Sequence, residues 1–237
     1  MGIFKRLFDF YVRSSIHVAF AVFAMVRITQ LIFHIENDQP MALFAFFGTI
    51  TGYNFVKFDA LARVRRKEIP VKTDVKIIAA LSFLSFLGAA WCFLQFRLIT
   101  QLVSITVLVL TALYTLPFFP NRKNARNWAG VKIYIVSLCW VGVTVVLPVL
   151  NAGIEITSDL YLKCVQRFIL VFVLILIFEI VDLEKDDPHL HTVPQQIGVK
   201  QTKIFGLLLL ILFCGLEFLK VTSDGIRVIV KLILPLL

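Results

Sequence analysis

Apolar residues along this chain fall into long runs divided by short polar connections. Seven runs approach the ~20 residues that a helix needs to cross the hydrocarbon of a bilayer. They are Ile16–Ile35, Met41–Phe58, Val75–Leu94, Leu98–Leu116, Val131–Leu150, Tyr161–Val181 and Ile204–Leu219. An eighth, Ile226–Leu237, has only 12 residues and carries Lys231 in its middle. At ~1.5 Å rise per residue it reaches roughly 18 Å, so it half-inserts or lies at the interface. Met1–Arg13 has another pattern, with Phe and Leu interspersed with Lys5, Arg6 and Asp9. It reads as an interfacial helix and not as a signal peptide, since no small-residue cleavage site follows the first apolar run. The expectation is an all-α polytopic transmembrane helix bundle of about seven to eight spans, one domain over residues 1–237.

Composition agrees. Of 237 residues 59% are hydrophobic and 16% charged, and the mean hydropathy is +0.88. A soluble domain of this length has too little interior to hide that much apolar surface. The 23 phenylalanines suit lipid-facing and cavity-lining helix faces. Cys92, Cys139, Cys164 and Cys214 show no C-x-x-C spacing, so they imply no zinc or redox site and read as small buried hydrophobes.

The formal net charge of +9 follows topology. With the N-terminus inside, the cytoplasmic segments hold most of the Lys and Arg, among them Lys57, Arg63, Arg65, Arg66, Lys67, Arg122, Lys123, Arg126, Lys132 and Lys185. The opposite loops hold mostly Glu36, Asp38, Glu155, Asp159 and Asp224. That asymmetry obeys the positive-inside rule. No basic stripe is interleaved with exposed aromatics, which excludes nucleic acid as a partner. The expected location is an integral position in the membrane, the cytoplasmic one if the source is bacterial.

The densest chemistry follows the sixth run. Val165–Val181 has Glu179 in its last turn, and Asp182, Glu184, Asp186 and Asp187 follow it, then Thr192, Pro194 and Gly198. Carboxylates at the mouth of a membrane helix are costly unless something cationic binds them. If the helix continues through position 186, Glu179, Asp182 and Asp186 lie at i, i+3 and i+7 and share one face. Hard oxygen ligands so arranged suit Mg²⁺, which takes one or two carboxylates together with phosphate oxygens. The plain alternative is a charged helix end entering a solvated loop.

The segment E-I-V-D-L-E-K-D-D-P-H-L-H-T-V-P-Q-Q-I-G resembles the second aspartate-rich motif of the UbiA-type prenyltransferase superfamily, roughly D-x-x-D-x-x-x-D, then T-L-P, then Gly. The family's first motif, N-D-x-x-D-x-x-x-D, closes its second helix. Here that place reads G-Y-N-F-V-K-F-D-A-L-A-R. Asn54 matches the leading Asn, while Phe55, Phe58 and Ala62 stand where aspartates are expected. Asp59 is displaced by one residue, a turn of ~100° about a helix, and Lys57 adds a positive charge. Between the fourth and fifth runs, Tyr114, Pro117, Gly130 and Lys132 resemble the family's corresponding connection.

The resemblance covers roughly Ile16–Leu219 and implies a shortened bundle of that type, since the family usually has nine spans. It implies transfer of a prenyl group from a polyprenyl diphosphate to a lipid-soluble acceptor, with Mg²⁺ as cofactor. Asp182 and Asp186 would be catalytic metal ligands supported by Glu179; Lys132, Arg126 and Asn54 would meet the substrate. The competing expectation is a non-catalytic membrane protein of the same fold that binds an isoprenoid or lipid.

Other polar groups are weaker signals. The basic run Arg63, Arg65, Arg66 and Lys67 is solvated or meets anionic lipid heads. His189 and His191 lack the helical spacing of a metal pair. Arg27, Gln30 and His34 form a stripe at i, i+3 and i+7, expected to face the bundle interior and bond between helices, with substrate contact as the second reading.

Overall fold

The computed structural model describes residues 2–36, 38–64, 73–115, 131–183 and 192–219, with side chains described there except at 58–64, 73–74, 113–115 and 131–132. Every regular element among the described residues is helical: α1 (Ile3–Arg13), α2 (Ile16–Ile32), α3 (Gln39–Val64), α4 (Thr73–Phe93) and α5 (Leu98–Thr115), then α6 (Val131–Val141), α7 (Leu147–Ala152), α8 (Ser158–Asp182), α9 (Val193–Ile197) and α10 (Val199–Glu217). A π-helical turn, Gly142–Val146, joins α6 to α7.

Among the described residues four helices are long and apolar enough to cross a membrane: Val75–Phe93, Ile133–Ala152, Ser158–Asp182 and Val199–Glu217. The pair α1 and α2, bent by 60° at its break, makes a fifth if it counts as one span. This set points to a membrane protein. The sequence expectation of seven to eight spans is reached only in that part. In α3 the described stretch is diluted by Gln39, Thr49, Thr51, Asn54 and Lys57. The apolar part of α5 is the shorter Leu98–Ala112. The Ile226–Leu237 segment lies outside the described residues.

The chain divides into two compact units. The first comprises Met1–Ser104 and Val146–Ile154, the second Ile105–Val145 and Glu155–Leu237.

In the first unit α3 packs between α2 and α4. Ala19, Val22 and Val26 recur at helical spacing on α2, and Met41, Ala42, Ala45 and Ile50 face inward from α3. Phe46 sets its ring edge-on to Phe20 at 5.0 Å, and Phe44 meets Phe96 at 5.1 Å. Gly88 lets α4 approach closely, because a Cβ there would stand 2.9 Å from the Phe47 ring. On the outside of α4, Phe83, Leu84, Phe86, Leu87 and Trp91 are exposed. A continuous apolar face of that kind fits lipid rather than water.

In the second unit α8 packs against α6 and α10. Its core is Ile133, Phe172 and Leu176, with Phe168, Ile175, Val193 and Leu209 against it. The π-helical turn has a local cause. Pro148 has no N–H for the Thr144 carbonyl, which releases the backbone there from the regular pattern, and Thr144 Oγ1 adds a bond to the Trp140 carbonyl at 2.7 Å. Gly142 on this turn lets Val107 come within 2.8 Å of where a Cβ would be. Between α9 and α10, Gly198 sits at φ +81 and ψ 157, a conformation that side chains rarely adopt.

Candidate functional site

One end of the second unit is built by the chain folding back on itself. α8 runs to Asp182, and α9 returns to pack against it and against α10. Thr192 is the N-cap residue of α9, and Gln195 supplies the reciprocal half of a capping box, its Oε1 accepting the Thr192 N–H at 2.9 Å. Pro194 sits in the first turn, where its missing N–H costs nothing. Glu179 is only 4% exposed, and its Oε2 accepts the Val193 N–H at 3.3 Å. That amide is one of the donors a helix start leaves without an intrahelical partner. The Val193 side chain meanwhile packs on the core of Ile133, Phe172 and Leu176. The T-V-P-Q-Q-I-G stretch is thus a short capped helix tied by hydrogen bond and by packing to the acidic end of α8.

Asp182, one turn beyond Glu179, is the last residue of α8 and is exposed. Asp186 lies outside the described residues, as do Glu184, Asp187, His189 and His191. Arg126 also lies outside them. Lys132 is described in its backbone alone, in the first turn of α6. Its neighbour Ile133 is in the same core cluster as Leu176 and Val193. The starts of α6 and α9 and the last turns of α8 therefore converge on one apolar cluster. Among the described residues no group of three or more His, Cys, Asp or Glu side chains is close enough to hold a metal.

Beside this cluster runs an aromatic ladder on α6, α8 and α10. Tyr134 stacks on Phe168 at 6.4 Å and meets Phe172 edge-on at 5.4 Å. Phe172 in turn meets Phe205 at 6.2 Å. Further along α8, Lys163, Gln166 and Arg167 are buried at i, i+3 and i+4, and Gln166 Nε2 donates to Glu217 Oε2 of α10 at 2.9 Å. Sequence reasoning missed this group. The signal was available: two cations and an amide at helical spacing inside an otherwise apolar run.

Asn54 belongs to the first unit and is fully buried. Its Nδ2 donates to Ser82 Oγ at 2.9 Å, and Ser82 Oγ donates onward to the Ile78 carbonyl at 2.8 Å. Its Oδ1 accepts the Ser15 hydroxyl at 3.1 Å. Lys57 Nζ donates to the same Ser15 Oγ at 2.8 Å and to the Arg13 carbonyl at 3.3 Å. Each hydroxyl in this chain gives one hydrogen bond and receives one, an arrangement in which successive bonds polarise one another. Phe55 points outward and is exposed; the side chains of Phe58, Asp59 and Ala62 lie outside the described ones.

The stripe on α2 behaves differently from its expectation. Gln30 is buried, but its Nε2 donates to the Asp38 carbonyl at 2.7 Å, in the loop leading to α3, and its Oε1 accepts from Arg27 at 2.9 Å. The polar bonds close a loop rather than bridge two helices, because Gln30 lies within one turn of the helix end. Asp38 also accepts from the Met41 N–H at 3.3 Å and from Asn151 Nδ2 at 3.0 Å. His34, Glu36, Asp38, Gln95 and Asn151 line an open cavity of about 430 Å³. Compared with protein-family models, with curated proteins and with solved structures, the chain finds no match.

Proposed function

We propose that the chain is an integral-membrane prenyltransferase of the UbiA type, moving a prenyl group from a polyprenyl diphosphate to a lipid-soluble acceptor. In this reading the bundle has the seven to eight spans expected from sequence, and the N-terminus and both motif loops face the cytoplasm. One observation carries it: the Thr192–Gly198 segment that follows the acidic motif is folded onto the acidic helix end, with Glu179 bonded to Val193. A merely solvated charged loop has no need of that tie.

The donor chemistry fits a hard divalent cation. Glu179 and Asp182 offer carboxylate oxygens one turn apart, and Asp186 continues the series. Asp182, Asp186 and supporting Glu179 would hold Mg²⁺, which when bound neutralises developing charge on a leaving diphosphate. Lys132 and Arg126 add positive charge toward that diphosphate. The apolar ladder of Tyr134, Phe168, Phe172 and Phe205 suits an isoprenoid tail: it excludes water, and ring faces attract an allylic cation. Asn54, expected to meet the substrate, has its amide engaged by Ser15 and Ser82, and in this reading it holds its own helices together rather than touching the diphosphate.

A second reading is favoured by that engagement. With Asn54 and Lys57 spent on a structural network and Phe55 in place of a carboxylate, the chain is a non-catalytic member of the fold that binds an isoprenoid or lipid. Purified protein decides between them. The enzyme reading expects polyprenyl diphosphate to bind with Mg²⁺ and not with chelator, and expects prenyl transfer to a lipid acceptor. Binding that is equal with metal or chelator sinks it and leaves the second reading.

A further inference from the structure

α1 is the most lopsided of the longer described helices. Seven apolar residues, from Ile3 to Val12, cover an arc of about 200° when projected down the axis, and Lys5, Arg6, Asp9 and Arg13 gather in about 100° of the remainder. None of its residues is buried, and Phe4 is 90% exposed. Three cations against one carboxylate make the polar arc a complement to negative charge.

The junction below α1 is just as specific. α1 and α2 meet at 60°. Ser15 turns the chain in the left-handed region at φ +63, which a non-glycine residue holds only when its surroundings require it. Those surroundings are on the page. Ser14 Oγ donates to the Phe10 carbonyl at 2.7 Å. Ser15 is bonded to Asn54, and Lys57 ties Ser15 to the Arg13 carbonyl. Lys57 thereby sets a cation at the C-terminal end of α1, where the helix dipole is negative. Through Asn54 and Ser82 the same chain of bonds reaches α4.

We infer that α1 is a foot resting on anionic phospholipid headgroups, held at a fixed angle to α2 and α3 by the Lys57–Ser15–Asn54 knot. The membrane that the apolar helices require is the surface at hand, and a helix with this division of faces lies in the plane of the interface. Lys5, Arg6 and Arg13 meet the headgroups while Phe4, Leu7 and Phe8 enter the acyl boundary. The residues of the degenerate first motif thus have a mechanical task that is independent of any diphosphate.

The test uses the full chain with its four cysteines replaced by alanine, carrying one nitroxide at position 4 or at position 9. It is reconstituted in phosphatidylcholine vesicles with or without phosphatidylglycerol. In the anionic vesicles, position 4 is expected to collide with dissolved oxygen and position 9 with an aqueous nickel chelate. The contrast should shrink severalfold in pure phosphatidylcholine, or when Lys5→Gln and Arg6→Gln are introduced. A label at position 4 shielded from both reagents means that protein, a second copy or another partner, covers the face, and overturns the inference. So does a contrast indifferent to lipid charge. Lys57→Gln, at an exposed position where folding is not at risk, should sharpen the spectrum of the position 4 label by freeing α1. An unchanged line shape overturns the knot as its restraint.

Discussion

Two polar helix ends among the described residues are built on opposite plans. Where α1, α2 and α3 meet, Lys57, Ser15, Asn54 and Ser82 hand hydrogen bonds from one to the next until the chain ends on the Ile78 carbonyl. Where α8 ends, Glu179 bonds the start of α9 and Asp182 stands exposed one turn further on. The first arrangement is neutral apart from one exposed ammonium and consumes its own donors and acceptors. The second sets a buried carboxylate and an exposed one a turn apart at the end of an apolar element. A closed network rigidifies, whereas accumulated like charge needs an outside cation. On the proposed function, the first end is structural and the second carries the chemistry.

The sharpest way to break that contrast is to neutralise each end in turn. Asp182→Asn and Asp186→Asn should each lower Mg²⁺-dependent affinity for a polyprenyl diphosphate by about a hundredfold or more, the scale of losing one partner of a desolvated charge pair. Thermal unfolding in detergent should not move for Asp182→Asn, because that carboxylate is exposed. Titration of the diphosphate by calorimetry, with and without chelator, reads the first quantity. Equal affinity in wild type and variant would return the acidic end to a solvated helix terminus.

Asn54→Ala should do the reverse. It strips the amide from a fully buried site and leaves Ser15 and Ser82 each short of one partner. Unsatisfied buried groups cost about 1–3 kcal/mol each, so unfolding should shift clearly while Mg²⁺-dependent diphosphate binding, measured on the folded fraction, changes little. A large loss of binding with normal stability would mean that Asn54 touches the ligand after all.

How far the sequence foretold each end follows from how local its bonds are. The helices themselves were visible as apolar runs, and so was the acidic motif with its Thr-Pro-Gly tail, because Glu179 and Val193 are only 14 residues apart. The amphipathic pattern of α1 was visible in the same way. Asn54 is legible as a polar residue near a helix end, but its partners are not. Its partners Ser15 and Ser82 lie 39 and 28 residues away, and nothing in a helix-end motif announces a tertiary bond of that span. Gln166 and Glu217, 51 residues apart, escaped for the same reason. The span count ran ahead of the structure where Thr49, Thr51, Asn54 and Lys57 interrupt the apolar content of α3. Those residues serve packing and bonding within the protein: Thr51 Oγ1, for example, reaches both the Phe47 and the Ser82 carbonyls.

Glu179 sharpens the comparison, because it stands with a foot in each plan: buried and bonded like Asn54, yet acidic like Asp182. Two substitutions separate the roles. Glu179→Gln keeps an oxygen for the Val193 N–H and removes the charge, so stability should hold while diphosphate affinity falls. Glu179→Ala also orphans that N–H, and should add a loss of about 1–2 kcal/mol in unfolding free energy. If Gln and Ala destabilise alike and neither alters binding, Glu179 matters only as a buried group and contributes nothing to the acidic end.

The smallest effect should come from the cap. Gln195→Ala removes the acceptor of the Thr192 N–H but leaves Val193 bonded to Glu179 and seated on the core. A reciprocal capping bond is worth about 0.5–1 kcal/mol, too little to move global unfolding of a bundle held by α6, α8 and α10. Its loss should appear locally. Amide exchange at Thr192 should quicken about two- to fivefold on that scale, while amides in the middle of α8 keep their rates. Diphosphate affinity should fall slightly, because a fraying α9 loosens the position of Glu179 without removing any charge. Exchange that accelerates through α8 as well would show that α9 is no detachable clamp. The acidic end would then be as closed a structure as the knot around Asn54, and the contrast between the two plans would fail.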